Sequence, residues 1–185
     1  DLSNWKNLLA NGEKNNRQEF LNKTINYKLK NCVFIDNTAS ETISTEYADY
    51  LNEGISVVTC NKIASSSELE NYNKLKDISK KNNVSFLYET NVGSSLPVLE
   101  TINNLVLSGD KIISVKAILS GSLNYIFNNF KYENTFHNVI DKAKKLGLTE
   151  PDPKIDLSGI DVARKLLIIS RAVSYTHLRA HETLL

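Results

Sequence analysis

Apolar residues gather in three short runs in the first half of the chain: CVFID (32–36), SVVTC (56–60) and VSFLYE (84–89). Runs of this length, rich in valine, isoleucine and phenylalanine, predict buried strands. Between them the pattern is helical. Ser40 stands where it can cap a helix over SETISTEYADYLNEG, which Gly54 stops. A polar helix is expected from about Glu68 to Asn82. Strand–helix–strand–helix–strand at this spacing predicts parallel βαβ units. In such sheets ligands bind beyond the carboxyl ends of the strands. The turns after Asp36, Cys60 and Glu89 therefore belong on one rim, which carries Thr38, Lys62 and the loop TNVGSS. Ahead of the first strand, residues 1–30 predict two polar helices broken at Gly12 and the asparagines that follow.

After Gly93 the pattern changes. Pro97 opens a helix, VLETINNLVLSG, that ends at Gly109. KIISVKAILSG (111–121) predicts a long strand, and SLNYIFNNF a short helix with Ser122 as its N-cap. Another helix is expected from about Phe136 to Leu146. Strands and helices no longer alternate, so this half reads as a separate α+β layer. The stretch GLTEPDPKIDLSGIDVARKLL (147–167) comes next. Pro151 and Pro153 remove two backbone donors and push Glu150 and Asp152 towards extended geometry. No helix is expected to pass through them, which leaves Glu150 on a stiff loop. Ser158, with Asp161 three residues on, reads as an N-cap. The helix that follows, from Gly159 to about Ser170, is apolar on most sides and so expected to be buried. Asp161 and Lys165 share one of its faces. Buried charges cost free energy unless paired. These two either satisfy each other or line a polar cavity that holds a ligand.

Composition narrows the function classes. A net charge of +1 provides no basic excess for nucleic acid or an anionic membrane surface. No apolar run approaches membrane-spanning length. Asp1 opens a polar segment and not a signal peptide. Cys32 and Cys60 make no disulfide framework and are expected as buried, reduced thiols of a cytoplasmic protein. No histidine–cysteine cluster suggests zinc. The seven glycines include no G-x-G-x-x-G loop. Two readings follow. The chain is the C-terminal half of a Rossmann-type nucleotide-binding domain whose first βαβ unit lies upstream, or it is a complete small α/β domain that never bound a dinucleotide.

TEPDP, a short spacer and DLSGIDVARK together resemble the substrate-site segment of homoserine dehydrogenases. They are most similar to the dehydrogenase part of bifunctional aspartokinase–homoserine dehydrogenases, and DLSNWKNLL at the start resembles the same branch. The resemblance runs from about Asp1 to Arg171. It implies an α/β fold with a partial dinucleotide-binding domain over 1–90 and an α+β substrate-binding, catalytic and dimerisation domain over 91–171. The implied reaction interconverts L-homoserine and L-aspartate 4-semialdehyde with NADP or NAD, in threonine, methionine and isoleucine biosynthesis. The implied parent is a homo-oligomer, in some cases fused to an aspartokinase.

The resemblance also implies roles for individual residues. Lys165 matches the proton-donating lysine, and lysine suits that task when burial brings its pKa towards neutrality. Lys62 matches a second lysine at the junction of cofactor and substrate. Glu150 and Asp161 match residues that hold the substrate's ammonium group. Ser120 and Ser122 lie near the substrate in the family, and Thr38 and Gly147 contact the cofactor. The loop ETNVGSSLP (89–97) resembles a monovalent-cation loop, with Glu89 by side chain or backbone and the carbonyls of Val92, Ser94 and Leu96 holding sodium. The chain carries Ser94 and Ser95 where the family usually has alanine and glycine. Serine is strained at the glycine position if that residue needs positive φ.

Each of these residues has a plainer reading. Lys165 is a partner for Asp161 alone, Asp161 is a helix cap, Ser120 and Ser122 are a strand end and an N-cap, and Lys62 is solvated. Two rival functions remain beside the enzyme: a non-catalytic substrate-domain or dimerisation fragment, and another Rossmann-type dehydrogenase of an amino-acid aldehyde. The tail 172–185 departs from the pattern and is expected to be non-native and poorly packed. Its His177 and His181 have the spacing of a helical metal pair.

Overall fold

The computed structural model describes residues 2–12, 16–27, 29–133 and 135–173. They form two compact units, the second of which begins at Val33. The first carries two short helices, α1 (Trp5–Ala10) and α2 (Arg17–Asn26). Asn16 caps α2 by accepting from the Glu19 amide at 3.1 Å.

The second unit opens with the parallel sheet that the apolar runs predict. Strands β1 (Val33–Asp36), β2 (Ser56–Thr59) and β3 (Phe86–Leu87) lie side by side in the order β1-β2-β3. Asp36 pairs with Thr59, and Val58 with Leu87. Only two residues of the expected 84–89 strand enter the ladder. The single helix expected over 40–54 is two, α3 (Glu41–Ser44) and α4 (Tyr47–Asn52). The break has a local cause. Ser44 and Thr45 turn their hydroxyls back onto the carbonyls of Glu41 and Thr42, at 2.7 and 2.8 Å. Such bonds compete with the helical ladder. Helix α5 (Lys62–Ser65) follows β2, and α6 (Leu69–Lys81) precedes β3.

One face of the sheet carries the core. Tyr47, Tyr50, Leu51, Val57, Leu75 and Phe86 are buried, and Phe34 stacks on Tyr50 at 4.0 Å between ring centres. On the other face Val33, Ile35, Val58 and Leu87 are exposed. Parallel sheets are ordinarily covered on both faces.

Beyond β3 the described residues are helical, with irregular connections. Helix α7 (Val98–Leu107) starts after Pro97, as expected. Its first amides are met by Glu89, whose two carboxylate oxygens accept from Leu99 and Glu100 at 2.8 and 2.9 Å. The strand expected over 111–121 does not form: residues 111–120 join no ladder among the described residues. Ile113, Val115 and Ile118 are exposed, Ile113 to 96%, while Leu119 packs against the cluster of Leu99, Ile102, Ile168 and Ile169. With no neighbouring strand to pair with, strand propensity alone does not order it. Helix α8 (Gly121–Asn129) is capped by Ser120 and not Ser122, the Ser120 hydroxyl accepting from the Leu123 amide at 3.2 Å. Helix α9 (Phe136–Lys145) packs on α8 through Ile126, Val139 and Ala143. It gathers Lys142, Lys144 and Lys145 in its last turn, where the helix dipole favours cations.

The two prolines do not exclude helix altogether. Pro153 is the first residue of α10 (Pro153–Leu157), where a missing amide costs nothing. Asp152 caps it, accepting from the Lys154 amide at 3.1 Å. Gly159, at φ +69°, turns the chain into α11 (Ile160–Val173). This helix runs three residues past Ser170 because Ala172 and Val173 pack with Leu99, Ile102, Ile168 and Ile169. It is buried along one face only, since Ile160 and Leu166 are exposed. The remainder of the tail, with Tyr175, His177, Leu178 and His181, lies outside the described residues. Cys32 and Cys60 are free thiols, partly and not fully buried. No helix among the described residues is long and apolar enough to cross a membrane.

Candidate active site

Helix α11 presents Asp161 and Lys165 from its first two turns, and their ions meet: the Lys165 ammonium lies 2.6 Å from Asp161 Oδ2. The same ammonium donates to the Leu119 carbonyl at 2.7 Å. On the far side, the Lys62 ammonium from the start of α5 lies 3.4 Å from Asp161 Oδ1. Asp161 thus bridges two lysines that come from the sheet rim and from α11. Burial pushes its carboxyl up, but the hydrogen bond from Lys165 and the charges of Lys62 and Lys165 outweigh that. Its pKa lies below the ordinary carboxylate value. Of the two groups in the 2.6 Å pair, the lysine is the more enclosed: its side chain is 20% exposed against 50% for the aspartate.

A cleft of about 320 Å³ opens beside this pair, lined among others by Ser122, Gly147, Glu150, Asp156, Asp161 and Lys165. The volume is near the lower end for small-molecule sites. The structure therefore gathers Glu150, Asp161, Lys165, Ser120, Ser122 and Gly147 around one cavity. Lys62 does not line it and reaches it through Asp161. Gly147 ends α9 at φ +69°, a conformation that favours glycine, with its amide on the Lys144 carbonyl at 3.0 Å.

The sequence pattern missed Asp156. One of its oxygens accepts from the Ser122 hydroxyl at 2.6 Å, and the other from the Glu150 amide at 2.8 Å. Ser122 in turn sits 3.1 Å from the Ser120 hydroxyl. Asp156 holds the Glu150 loop against the start of α8, across 34 residues of sequence. An acid in the spacer PKID gives no sign of that bond until the chain is folded.

The carboxyl ends of β1 and β2 meet this region through the Lys62–Asp161 pair. Thr38 is exposed there, its amide bonded to Asp36 Oδ1 at 2.8 Å and its hydroxyl accepting from the Ser40 amide at 3.1 Å. Lys62 is the first residue of α5, which Asn61 caps by accepting from the Ile63 amide at 3.1 Å. The parallel ladder places these two turns on one rim, as the strand pattern implies.

In the loop 89–97 the residue at positive φ, besides Gly93, is Ser94 at +56°; Ser95 is not at positive φ. The strain expected at the glycine position thus falls one residue earlier, at a cost of about 1–2 kcal/mol for a non-glycine residue. The Glu89 carboxylate is fully engaged by α7. The described residues hold no cluster of three or more metal-binding side chains.

Two family models match the chain. "Homoserine dehydrogenase, NAD binding domain" covers residues 2–89, and "Homoserine dehydrogenase" covers residues 97–183. Among curated proteins the chain is 46% identical over 95% of its length to a bifunctional aspartokinase/homoserine dehydrogenase of Buchnera aphidicola, and covers 22% of that protein. It is 43% identical over 92% of its length to the chloroplastic bifunctional aspartokinase/homoserine dehydrogenase 2 of Arabidopsis thaliana, covering 19% of it. Among solved structures, a mutant homoserine dehydrogenase of a hyperthermophilic archaeon in complex with NADPH superposes with a TM-score of 0.71 at 28% identity. That match covers 78% of this chain and 44% of the archaeal one. The chain thus spans about a fifth of the length of these two bifunctional relatives.

Proposed function

The chain belongs to the homoserine dehydrogenase family, and we propose that it is the segment of a longer parent enzyme that holds the substrate while L-homoserine and L-aspartate 4-semialdehyde interconvert. The observation that carries this reading is the cleft in which Glu150, Asp161 and Lys165 converge beside Lys62. Residues 1–90 then form part of a dinucleotide-binding domain, and residues 91–171 the substrate and dimerisation domain. The apolar face left open by Val33, Ile35, Val58 and Leu87 supports a sheet that a further layer of the parent covers.

The nicotinamide cofactor, NADP or NAD, supplies or takes up the hydride when bound. The residues present fit its reacting end. Thr38 offers an exposed hydroxyl and Lys62 an ammonium at the carboxyl rim of a parallel sheet, where dinucleotides bind. Gly147, at the lip of the cleft, offers backbone with no side chain in the way.

Lys165 delivers a proton to the carbonyl oxygen of the semialdehyde as that oxygen gains charge, and takes it back in the reverse direction. Asp161 and the Leu119 carbonyl fix the ammonium's position. Asp161 is already occupied by two lysines, so Glu150 is the carboxylate that remains for the substrate's ammonium, with Asp161 assisting through its outer edge. Asp156 sets the Glu150 loop, and Ser120 and Ser122 form the adjacent polar wall. We also propose a monovalent cation, such as sodium, in the loop 89–97. It would be held by the backbone carbonyls of Glu89, Val92, Ser94 and Leu96, while the Glu89 carboxylate stays with α7. The parent is proposed to be a cytoplasmic homo-oligomer, and the similarity to bifunctional relatives supports an aspartokinase fused to it.

Substrate profiling of the parent tests the reading. Turnover is expected with L-homoserine and oxidised cofactor and with L-aspartate 4-semialdehyde and NADPH, and not with L-serine or L-threonine and oxidised cofactor. Equal or better turnover of a different amino-acid aldehyde would favour the other dehydrogenase reading.

A further inference from the structure

At the end of β1 the side chain of Asp36 is 2% exposed, and the described residues offer it no ion-pair partner. Burying a carboxylate without a cation costs free energy unless hydrogen bonds replace its water. Three do so. Oδ1 accepts from the Thr38 amide at 2.8 Å. Oδ2 accepts from the Tyr47 hydroxyl at 2.5 Å and from the Asn61 side-chain amide at 3.1 Å. The backbone carbonyl of the same residue accepts from the Thr59 hydroxyl and the Cys60 amide, both at 3.1 Å.

The position of these partners matters more than their number. Thr38 is the proposed cofactor-contacting residue of the turn after β1. Asn61 caps α5 and immediately precedes Lys62, whose ammonium meets Asp161. The Asn61 amide also donates to the Ser40 carbonyl at 2.9 Å, which ties the two turns together a second time. One buried carboxylate is therefore the shared anchor of both rim loops that face the cofactor.

We propose that Asp36 is a positioning residue: through Thr38 and Asn61 it fixes the two rim turns, and hence Lys62, in the geometry that receives the nicotinamide cofactor. This rests on the function proposed above. A buried network that served stability alone would have no need to join these two turns, and an apolar pair of similar volume would serve about as well. Burial pushes the Asp36 carboxyl up, but the bonds from Tyr47, Thr38 and Asn61 outweigh it and leave the carboxyl below its ordinary value. Burial and the neighbouring carboxylate raise the Tyr47 phenol. Asp36 is thus a fixed anion that accepts and never donates, and Asn61 must present its NH2 to it.

The test is Asp36→Asn in the intact parent. Asparagine keeps the shape, but its NH2 must meet a donor on either side, the Thr38 amide or the Tyr47 hydroxyl and Asn61 NH2, so one rim turn loses its anchor. At a temperature where circular dichroism shows the variant folded, the KM for NADPH should rise and kcat should fall, together costing about 10- to 100-fold in kcat/KM, the scale of a small misplacement. The KM for L-homoserine should barely change. The double variant Asp36→Asn/Asn61→Asp restores a donor–acceptor pair between the two side chains and keeps an N-cap acceptor for α5, but it loses the bond from residue 61 to the Ser40 carbonyl, so it should recover part of the loss and not all of it. If Asp36→Asn does not fold, Asn61→Ser carries the test, because it keeps the cap and deletes the bonds from residue 61 to Asp36 and to the Ser40 carbonyl, both of which join the two turns; the same rise in cofactor KM is expected. Kinetic constants per folded enzyme that match the unmodified parent, whatever happens to Tm, would overturn the proposal. Should the unmodified parent show no homoserine-dependent turnover, the proposed function has failed instead. NADPH titration of parent and variant then decides the anchoring role by itself: weaker binding by the variant supports it, and equal binding overturns it.

Discussion

Lys165→Met in the intact parent separates a proton donor from an ion-pair partner. Methionine keeps most of the aliphatic stem, so the packing of α11 is largely retained and the ammonium alone is lost. In the structure that ammonium makes two bonds, at 2.6 Å to Asp161 and 2.7 Å to the Leu119 carbonyl. Asp161 would keep Lys62 at 3.4 Å, so the substitution does not leave a bare carboxylate. Asp161 is also half exposed. An ion pair with one partner in water contributes about 0–1 kcal/mol. On stability grounds the substitution should therefore be mild. The catalytic expectation is far larger. Losing a positioned general acid lowers turnover by about 10²–10⁴-fold, or about 3–5 kcal/mol of barrier. The two accounts differ by enough to be told apart in one steady-state experiment that follows NADPH absorbance at saturating substrate. The dissociation constant for NADPH, measured separately, should stay close to that of the unmodified enzyme. Normal turnover with a lowered Tm would refute the reasoning. Lys165 would then be an ion-pair partner only, and Lys62 would become the better candidate for the proton.

Three further outcomes follow from the same geometry. Glu150→Ala should raise the KM for L-homoserine by about 10- to 100-fold, the value of a charge-assisted bond, with kcat little changed, because its proposed partner is the ammonium and not the reacting carbonyl. Asp36 and Asp161 both have folded-state pKa values below the ordinary 3.8. Their stabilisation is whole above that value and is lost as pH falls through the lower folded values, since the unfolded chain binds protons first. Urea unfolding should therefore show stability declining below about pH 4, and Asp36→Asn should flatten that decline. Arg171 is buried and donates to the carbonyls of Ser65 and Ser67 at 2.7 and 2.6 Å, with its guanidinium over the Tyr72 ring. Arg171→Met should lower the urea midpoint by the equivalent of about 1–3 kcal/mol, the cost of stranding buried carbonyls. A midpoint that rose would mean that the desolvation of the guanidinium outweighs its bonds.

What the sequence made legible was local. The three apolar runs produced β1, β2 and β3 in parallel order because each run is short, rich in β-branched or aromatic residues and bounded by turn residues. Asp161 and Lys165 met because residues four apart share a helix face. No helix passes through the two prolines, as their chemistry requires, but the pattern gives no sign of the short helix that Pro153 itself starts, where its missing amide is harmless. What stayed hidden was long-range and polar. Asp156 finds Ser122 across 34 residues, and Asp36 finds Asn61 across 25. No periodicity encodes a hydrogen bond between distant turns. Residues 111–120 fail for a related reason: the composition is that of a strand, but a strand needs a neighbour that the pattern cannot name.

The claim at the centre of this account is that the cleft beside Lys165 exchanges L-homoserine and L-aspartate 4-semialdehyde. The direct measurement supplies the intact parent with L-aspartate 4-semialdehyde and NADPH, and follows both cofactor absorbance and the amino acid formed. The account predicts NADPH consumption matched one for one by L-homoserine, abolished or nearly so in Lys165→Met. A folded parent that consumes neither NADPH nor NADH, or that consumes cofactor without forming L-homoserine, would contradict it.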